Sequence, residues 1–106
     1  MGVKIIAFLK AKGGMTREQL RRRWVVDHAP LTLKFPHLRG YRINIPITEH
    51  QDLEELPFDG TAELWFDSLE DMKADYATEE AAAAVADAQA FTEVLYHIYM
   101  EEHIAK

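Results

Sequence analysis

The side chains in this chain that can carry a proton back and forth near neutral pH are its five histidines, because imidazole titrates there without help from its surroundings. One of them stands apart. At about 100° per residue, Leu20, Trp24, His28, Leu31 and Phe35 share one face of a helix, so His28 interrupts an otherwise apolar stripe. An imidazole turned toward the interior can act as general base or acid on a bound molecule. It is also what a hydrogen-bonded core histidine looks like, and from the residues alone both readings stand. A second group is Tyr41, which alternates with polar residues in step with Ile43 and Ile45. A phenol in that place can donate to a carbonyl or to a developing enolate. If the Tyr41 face is the helix side, His28 and Tyr41 converge on one cleft walled by Trp24, Leu64 and Phe66, with Ile43 on the same face. An apolar cleft with a few polar groups suits a small ring-shaped ligand.

The other histidines have no such setting. His50 lies in an acidic loop, where it is either solvated or able to close over a ligand. His37, His97 and His103 have no spacing that suggests a site, and His97 and His103 are too far apart on their strand to share a metal. No histidine pair stands at i, i+4, and no carboxylate lies one turn from His28 on its stripe, since Asp27 points aside. No metal is expected. Gly13-Gly14 alone is far too little for a phosphate-binding loop.

The elements that must position these groups are readable in order. Val3–Leu9 is nearly continuous apolar residues, a strand buried on both faces. Thr16 and Gln19 form a capping box and Met15 with Leu20 a hydrophobic staple, so a helix starts near Thr16. Arg17, Arg21 and Arg22 point to solvent, and the Arg21-Arg22-Arg23 run reads as a solvated face. Pro30 lacks a donor and crowds the carbonyl of Val26, which predicts a kink or break, and Pro36 ends the helix. Leu38–Ile47 and Thr61–Asp67 alternate as strands two and three, with Pro46 placing the former at an edge or near its end. Ser68 and Thr78 cap two further helices, the second alanine-rich with Val85 and Phe91 as anchors, and Val94–Ile104 is a fourth strand.

The order β-α-β-β-α-β is the ferredoxin-like pattern, an α+β fold with a four-stranded antiparallel sheet and its helices on one face. Strand one offers apolar side chains to both faces, and strand three puts Trp65 on the side away from Phe66. A partner is therefore expected on the second face, most simply a second copy as a homodimer. The 106 residues fit a single domain, 1–106, with 48% hydrophobic residues. A net charge of −6 provides no positive field for nucleic acid. The absence of cysteine excludes disulfides and a thiolate nucleophile. With no run near the roughly 20 apolar residues of a membrane span and no recognisable leader, no membrane partner is expected and the default location is cytoplasmic.

Three segments carry a resemblance. GGMTREQLRRRWVVDHAPL, FPHLRGYRINIP and DGTAELWFDSLEDM are similar to the EthD family of dimeric α/β-barrel proteins. The matching features are Met15-Thr16, His28-Ala29-Pro30-Leu31, Pro36 to Tyr41 and Trp65-Phe66-Asp67-Ser68. The resemblance implies a dimeric barrel and a pocket between sheet and helices, to which the histidine matching His28 contributes. It also implies chemistry like that of methylmuconolactone isomerases and small polyketide-tailoring enzymes, without cofactor or metal. Leu64 stands where those isomerases carry a cysteine, a departure from their pattern. The expectation is a cofactor-free enzyme of oxidoreductase or isomerase type acting on a small oxygenated, aromatic or lactone-like compound, with His28 and Tyr41 catalytic and Trp24, Ile43, Leu64 and Phe66 at the substrate. The alternative is a dimeric ligand-binding or accessory protein without turnover.

Overall fold

The computed structural model describes residues 2–106. Its four strands are β1 (Val3–Ala11), β2 (Gly40–Asn44), β3 (Gly60–Phe66) and β4 (Thr92–Glu101), forming one antiparallel sheet in the order β2-β3-β1-β4. The helical elements are α1 (Arg17–Arg21), a π-helical stretch (Arg22–His28), α2 (Ala29–Thr32), a single 3-10 turn (Leu53–Glu55), α3 (Leu69–Tyr76) and α4 (Glu79–Phe91). This is the α+β, ferredoxin-like βαββαβ arrangement expected from the alternation of patterns.

Register decides which side chains meet the helices. Ile5 pairs with Leu64 and Tyr99, Ala7 with Ala62 and His97, and Leu9 with Gly60 and Leu95. In β2, Tyr41 stands beside Leu64 and Ile43 beside Ala62. The inner face built this way packs on Leu20 and Trp24 from the first helical segment, on Phe35 just after it, and on Met72, Ala84 and Phe91 from the other two. The small Ala81, Ala84 and Ala88 of α4 are buried and let its backbone come close to the core. Capping follows the expected chemistry: Thr16 accepts from the amide of Gln19, Ser68 from Asp71 and Thr78 from Ala81.

The opposite face is only partly covered. Ile6 and Phe8 are half-buried, Ile98 is 43% exposed and Tyr96 56% exposed. The expectation that strand one is buried on both faces thus holds for one face of the single chain. The other end of this face is polar: Lys4 bonds to Glu63 and Glu102 and, like Arg42, stacks on the Trp65 ring.

The expected break at Pro30 takes another form. Pro30 can offer no amide to Val26, and the helix absorbs the defect upstream by widening: the amide of Ala29 reaches back five residues to the carbonyl of Trp24. The last helical residue is Thr32, before Pro36, and Thr32 is buried while Leu31 is half-buried. Strand boundaries also move. β1 continues through a register irregularity to Ala11, because Asp59 accepts the Ala11 amide at 2.8 Å. β2 stops at Asn44, short of Pro46, and β4 follows directly on α4 and ends at Glu101 rather than Ile104.

Gly60 positions the site. A Cβ there would stand 2.6 Å from both Cζ3 of Trp24 and the Asn44 carbonyl oxygen. The absent side chain is what allows the Trp24 ring to approach the sheet this closely.

Candidate functional site

A small cavity of about 40 Å³ lies between the sheet and the helical segments. Four of the residues singled out above line it: His28, Tyr41, Trp24 and Leu64. Two do not. Phe66 is buried in the core and Ile43 half-buried, both outside the lining.

His28 is buried, and its ring is held on both sides. Nδ1 lies 2.8 Å from Oδ2 of Asp87 on α4, and Nε2 lies 3.5 Å from the Thr32 hydroxyl. Phe91 meets the ring edge-on, with centroids 5.6 Å apart. Asp87 is in turn gripped by Arg23, whose two terminal nitrogens donate to its two oxygens at 2.9 and 2.7 Å. This fork-to-fork pairing is the strong form of the contact. The guanidinium holds the Asp87 carboxyl below its ordinary value, with a further contribution from His28. An ionised carboxylate only accepts, so Nδ1 carries a hydrogen, and in the neutral ring Nε2 is the acceptor, 3.5 Å from the Thr32 hydroxyl.

These contacts correct one reading of the sequence and add to another. No carboxylate stands one turn from His28 on its own stripe, but α4 supplies one across the core. Arg23 is not simply part of a solvated face. An α-helical wheel separates residues five apart, whereas the wider π-helical turn brings Arg23 and His28 together over Asp87. The Asp87 signal was present in periodicity: Ala84, Asp87, Ala88 and Phe91 recur at the spacing of one helix face, three of them buried and the acid among them.

The remaining polar lining comes from Tyr41, Tyr76 and His97. Burial raises the Tyr41 phenol above its ordinary value, while Thr32 and Trp24 beside it act in the opposite sense. Burial pushes Tyr76 up to about 12. Both therefore remain hydrogen-bond donors at neutral pH. His97, which its spacing did not recommend, stands at the exposed edge strand yet contributes to the cavity wall, and desolvation lowers its pKa. His50 lies outside the cavity, in the exposed loop, with φ of 64°. His37 instead binds Asp75, at 2.6 Å from Nδ1 and 2.9 Å from its amide.

A larger groove, of about 660 Å³, lies under the 46–59 loop against α1. Two of its polar groups are engaged in structure: Asp59 holds the Ala11 amide and Arg17 donates to the Pro46 carbonyl. Among the described residues, no three His, Cys, Asp or Glu side chains gather as a metal-ligand set, and no helix is long and apolar enough to cross a membrane.

Residues 12–94 match the model of the EthD domain. Among solved structures, the chain is similar to an ethyl tert-butyl ether D (EthD) family protein from Bacillus halodurans, with 27% identity, a TM-score of 0.83, and 97% of this chain and 100% of that one covered. It shares its fold with the cofactor-independent oxygenase SnoaB from Streptomyces nogalater, at 8% identity and a TM-score of 0.72 over 98% of this chain and 95% of that one. It also shares the fold with the hydroxynitrile lyase of Passiflora edulis, at 16% identity and a TM-score of 0.73 over 97% and 96%. No match was found among curated protein sequences. With most of its length, including His28, Thr32 and Asp87, inside the matched span, the chain belongs to the EthD domain family.

Proposed function

We propose that this protein is a homodimeric α/β barrel that performs proton-transfer chemistry, without metal or organic cofactor, on a small oxygenated ring compound bound beside His28. The observation that carries the reading is the fixed orientation of His28. Asp87 accepts a hydrogen bond from Nδ1, so in the neutral ring Nε2 is the atom available as a base, on a side chain that lines the cavity. In this role Nε2 removes a proton from the substrate and later returns it. The Tyr41 hydroxyl donates to the oxygen on which negative charge develops, and Trp24 and Leu64 hold the ring, with Phe66 and Ile43 packed behind them. Fold neighbours named as a cofactor-independent oxygenase and a hydroxynitrile lyase support small-molecule chemistry on this scaffold. The dimer reading is supported by the half-covered sheet face and by a dimeric ferredoxin-like neighbour from Thermobifida fusca, at 16% identity and a TM-score of 0.73.

The cavity sets a condition on this reading. A void that holds benzene is about 150 Å³, several times the roughly 40 Å³ beside His28. Entry of a ring requires lining side chains to give way. The same condition applies to the second reading, a dimeric binding protein that holds a ligand in this cavity without turnover.

One variant separates the two. His28→Ala should abolish turnover of any substrate found by screening aromatic ketones, quinones and lactones, while changing affinity only a few-fold. Loss of affinity alone, in a wild-type protein that turns over nothing it binds, favours the binding reading. Unchanged turnover removes His28 from the chemistry.

A further inference from the structure

We propose that the ligand of the His28 cavity is electrically neutral, an uncharged hydrogen-bonding ring compound rather than a carboxylate, a phosphate ester or an amine. The inference rests on the reading of this cavity as the binding site and narrows what that site takes.

The argument starts from the lining. It contains no Asp, Glu, Lys or Arg. Its polar side chains besides the Trp24 indole are two phenols, one hydroxyl and two imidazoles, from Tyr41, Tyr76, Thr32, His28 and His97. Burial keeps both phenols protonated and desolvation disfavours a charge on His97. The nearest full charges, Arg23 and Asp87, stand behind His28 and are matched to each other through two hydrogen bonds. Asp75 is fully buried but occupied by His37, and Lys4, Arg42 and Glu63 lie on the other face of the sheet.

When both imidazoles are uncharged, a carboxylate entering this space sheds its water and finds no cation to replace it. Desolvating an unpaired charge costs far more than desolvating a polar group that regains its hydrogen bonds. An ammonium fares no better, because Asp87 is already bonded by Arg23 and His28, and Asp75 by His37. A neutral carbonyl, by contrast, meets phenol donors, and a neutral hydroxyl meets the Nε2 acceptor. The cavity is therefore equipped for phenols, quinones, ketones and lactones that carry no acid group.

Benzamide and benzoate test this directly, because they share a shape and differ in charge. Each is titrated into the ¹⁵N-labelled full chain at pH 8, where an ordinary imidazole, with a pKa of about 6.5, is uncharged. The chain has two tryptophans, and they lie on opposite faces of the sheet. Trp24 lines the cavity and Trp65 donates to Glu102 on the far side, so their indole signals report the two faces separately. The expected result is that benzamide shifts the Trp24 indole and binds at least about tenfold more tightly than benzoate. Equal or tighter binding of benzoate, with the Trp24 signal moving, overturns the inference and leaves the pocket reading standing. If only Trp65 moves, or neither indole does, the pocket reading falls and this inference falls with it.

Discussion

Asp87 receives the Nδ1 hydrogen of His28 across 2.8 Å, joining two helices through residues 59 positions apart in the chain. The contact makes a defined acceptor of Nε2. Asp87→Asn tests it, because Arg23 retains the amide oxygen and the amide nitrogen is then left facing Nδ1. The ring must respond by moving its hydrogen to Nε2, which closes the base toward the cavity. Long-range ¹H–¹⁵N spectra should show the hydrogen on Nδ1 in the wild type and on Nε2 in the variant. Any turnover should fall by about a hundredfold or more, the scale of a wrongly held tautomer. Since Asp87 is partly solvated, the stability loss should stay near 1–2 kcal/mol. An unchanged tautomer would separate Asp87 from the orientation of His28.

Gly60→Ala should be costly for a residue that carries no functional group. Its Cβ would overlap the Trp24 ring and the Asn44 carbonyl, each at 2.6 Å. Relief requires moving a fully buried indole or opening the edge pairing of β2 with β3. Overpacking of this kind costs about 1–3 kcal/mol. The checking measurement is the urea midpoint, joined to near-ultraviolet circular dichroism, which reports whether Trp24 has moved. A variant as stable as the wild type contradicts the close approach.

The contact between His37 and Asp75 should make stability depend on pH. The hydrogen bond from Nδ1 to Asp75 raises His37 above its ordinary value, with Asp71 adding to the effect and desolvation and Arg39 opposing it. A group whose folded-state pKa is raised stabilises fully below its unfolded value, about 6.5, and loses that contribution as pH rises through the folded value. The wild type should therefore exceed His37→Gln in melting temperature most at pH 6, and the difference should shrink toward pH 9. A difference constant across that range, or one growing with pH, contradicts the sign. His37 also donates its backbone amide to Asp75, so the variant keeps part of the link and should remain folded.

What could be read in the sequence, and what could not, divides along the distance over which each cause acts. Thr16, Ser68 and Thr78 cap helices through residues three positions on, so their chemistry is visible in a short window. The alternation of Ala62, Leu64 and Phe66 with Glu63 and Trp65 is equally local, and it fixes which face of β3 turns inward. Local causes were enough for the order of elements, and with it the fold. The partner of His28 was not local. Asp87 comes from α4, and Arg23 reaches it only because the missing amide of Pro30 is absorbed as a π-helical stretch, a response that an α-helical wheel does not represent. His97 was passed over because its part in the cavity follows from strand register beside Ala7, not from its spacing to other histidines.

The uncovered sheet face yields the last prediction. Ile98 pairs across β1 with Ile6, and Phe58 stacks between Phe8 and Tyr96 on the same side. These residues make an apolar band beside the polar group around Lys4 and Trp65. A second copy laid on this face by two-fold symmetry sets each band against its equivalent, so one substitution acts twice per dimer. Ile98→Glu places a carboxylate in the band of both copies, where burial without a cation is strongly unfavourable. Light scattering at micromolar concentration should give twice 12.2 kDa for the wild type and 12.2 kDa for the variant. Val26→Glu, at a 60% exposed position in the helical layer, is the matched control and should leave the dimer intact. A wild type that is monomeric from the start, or an Ile98→Glu variant that stays dimeric, means this band does not hold the two chains together.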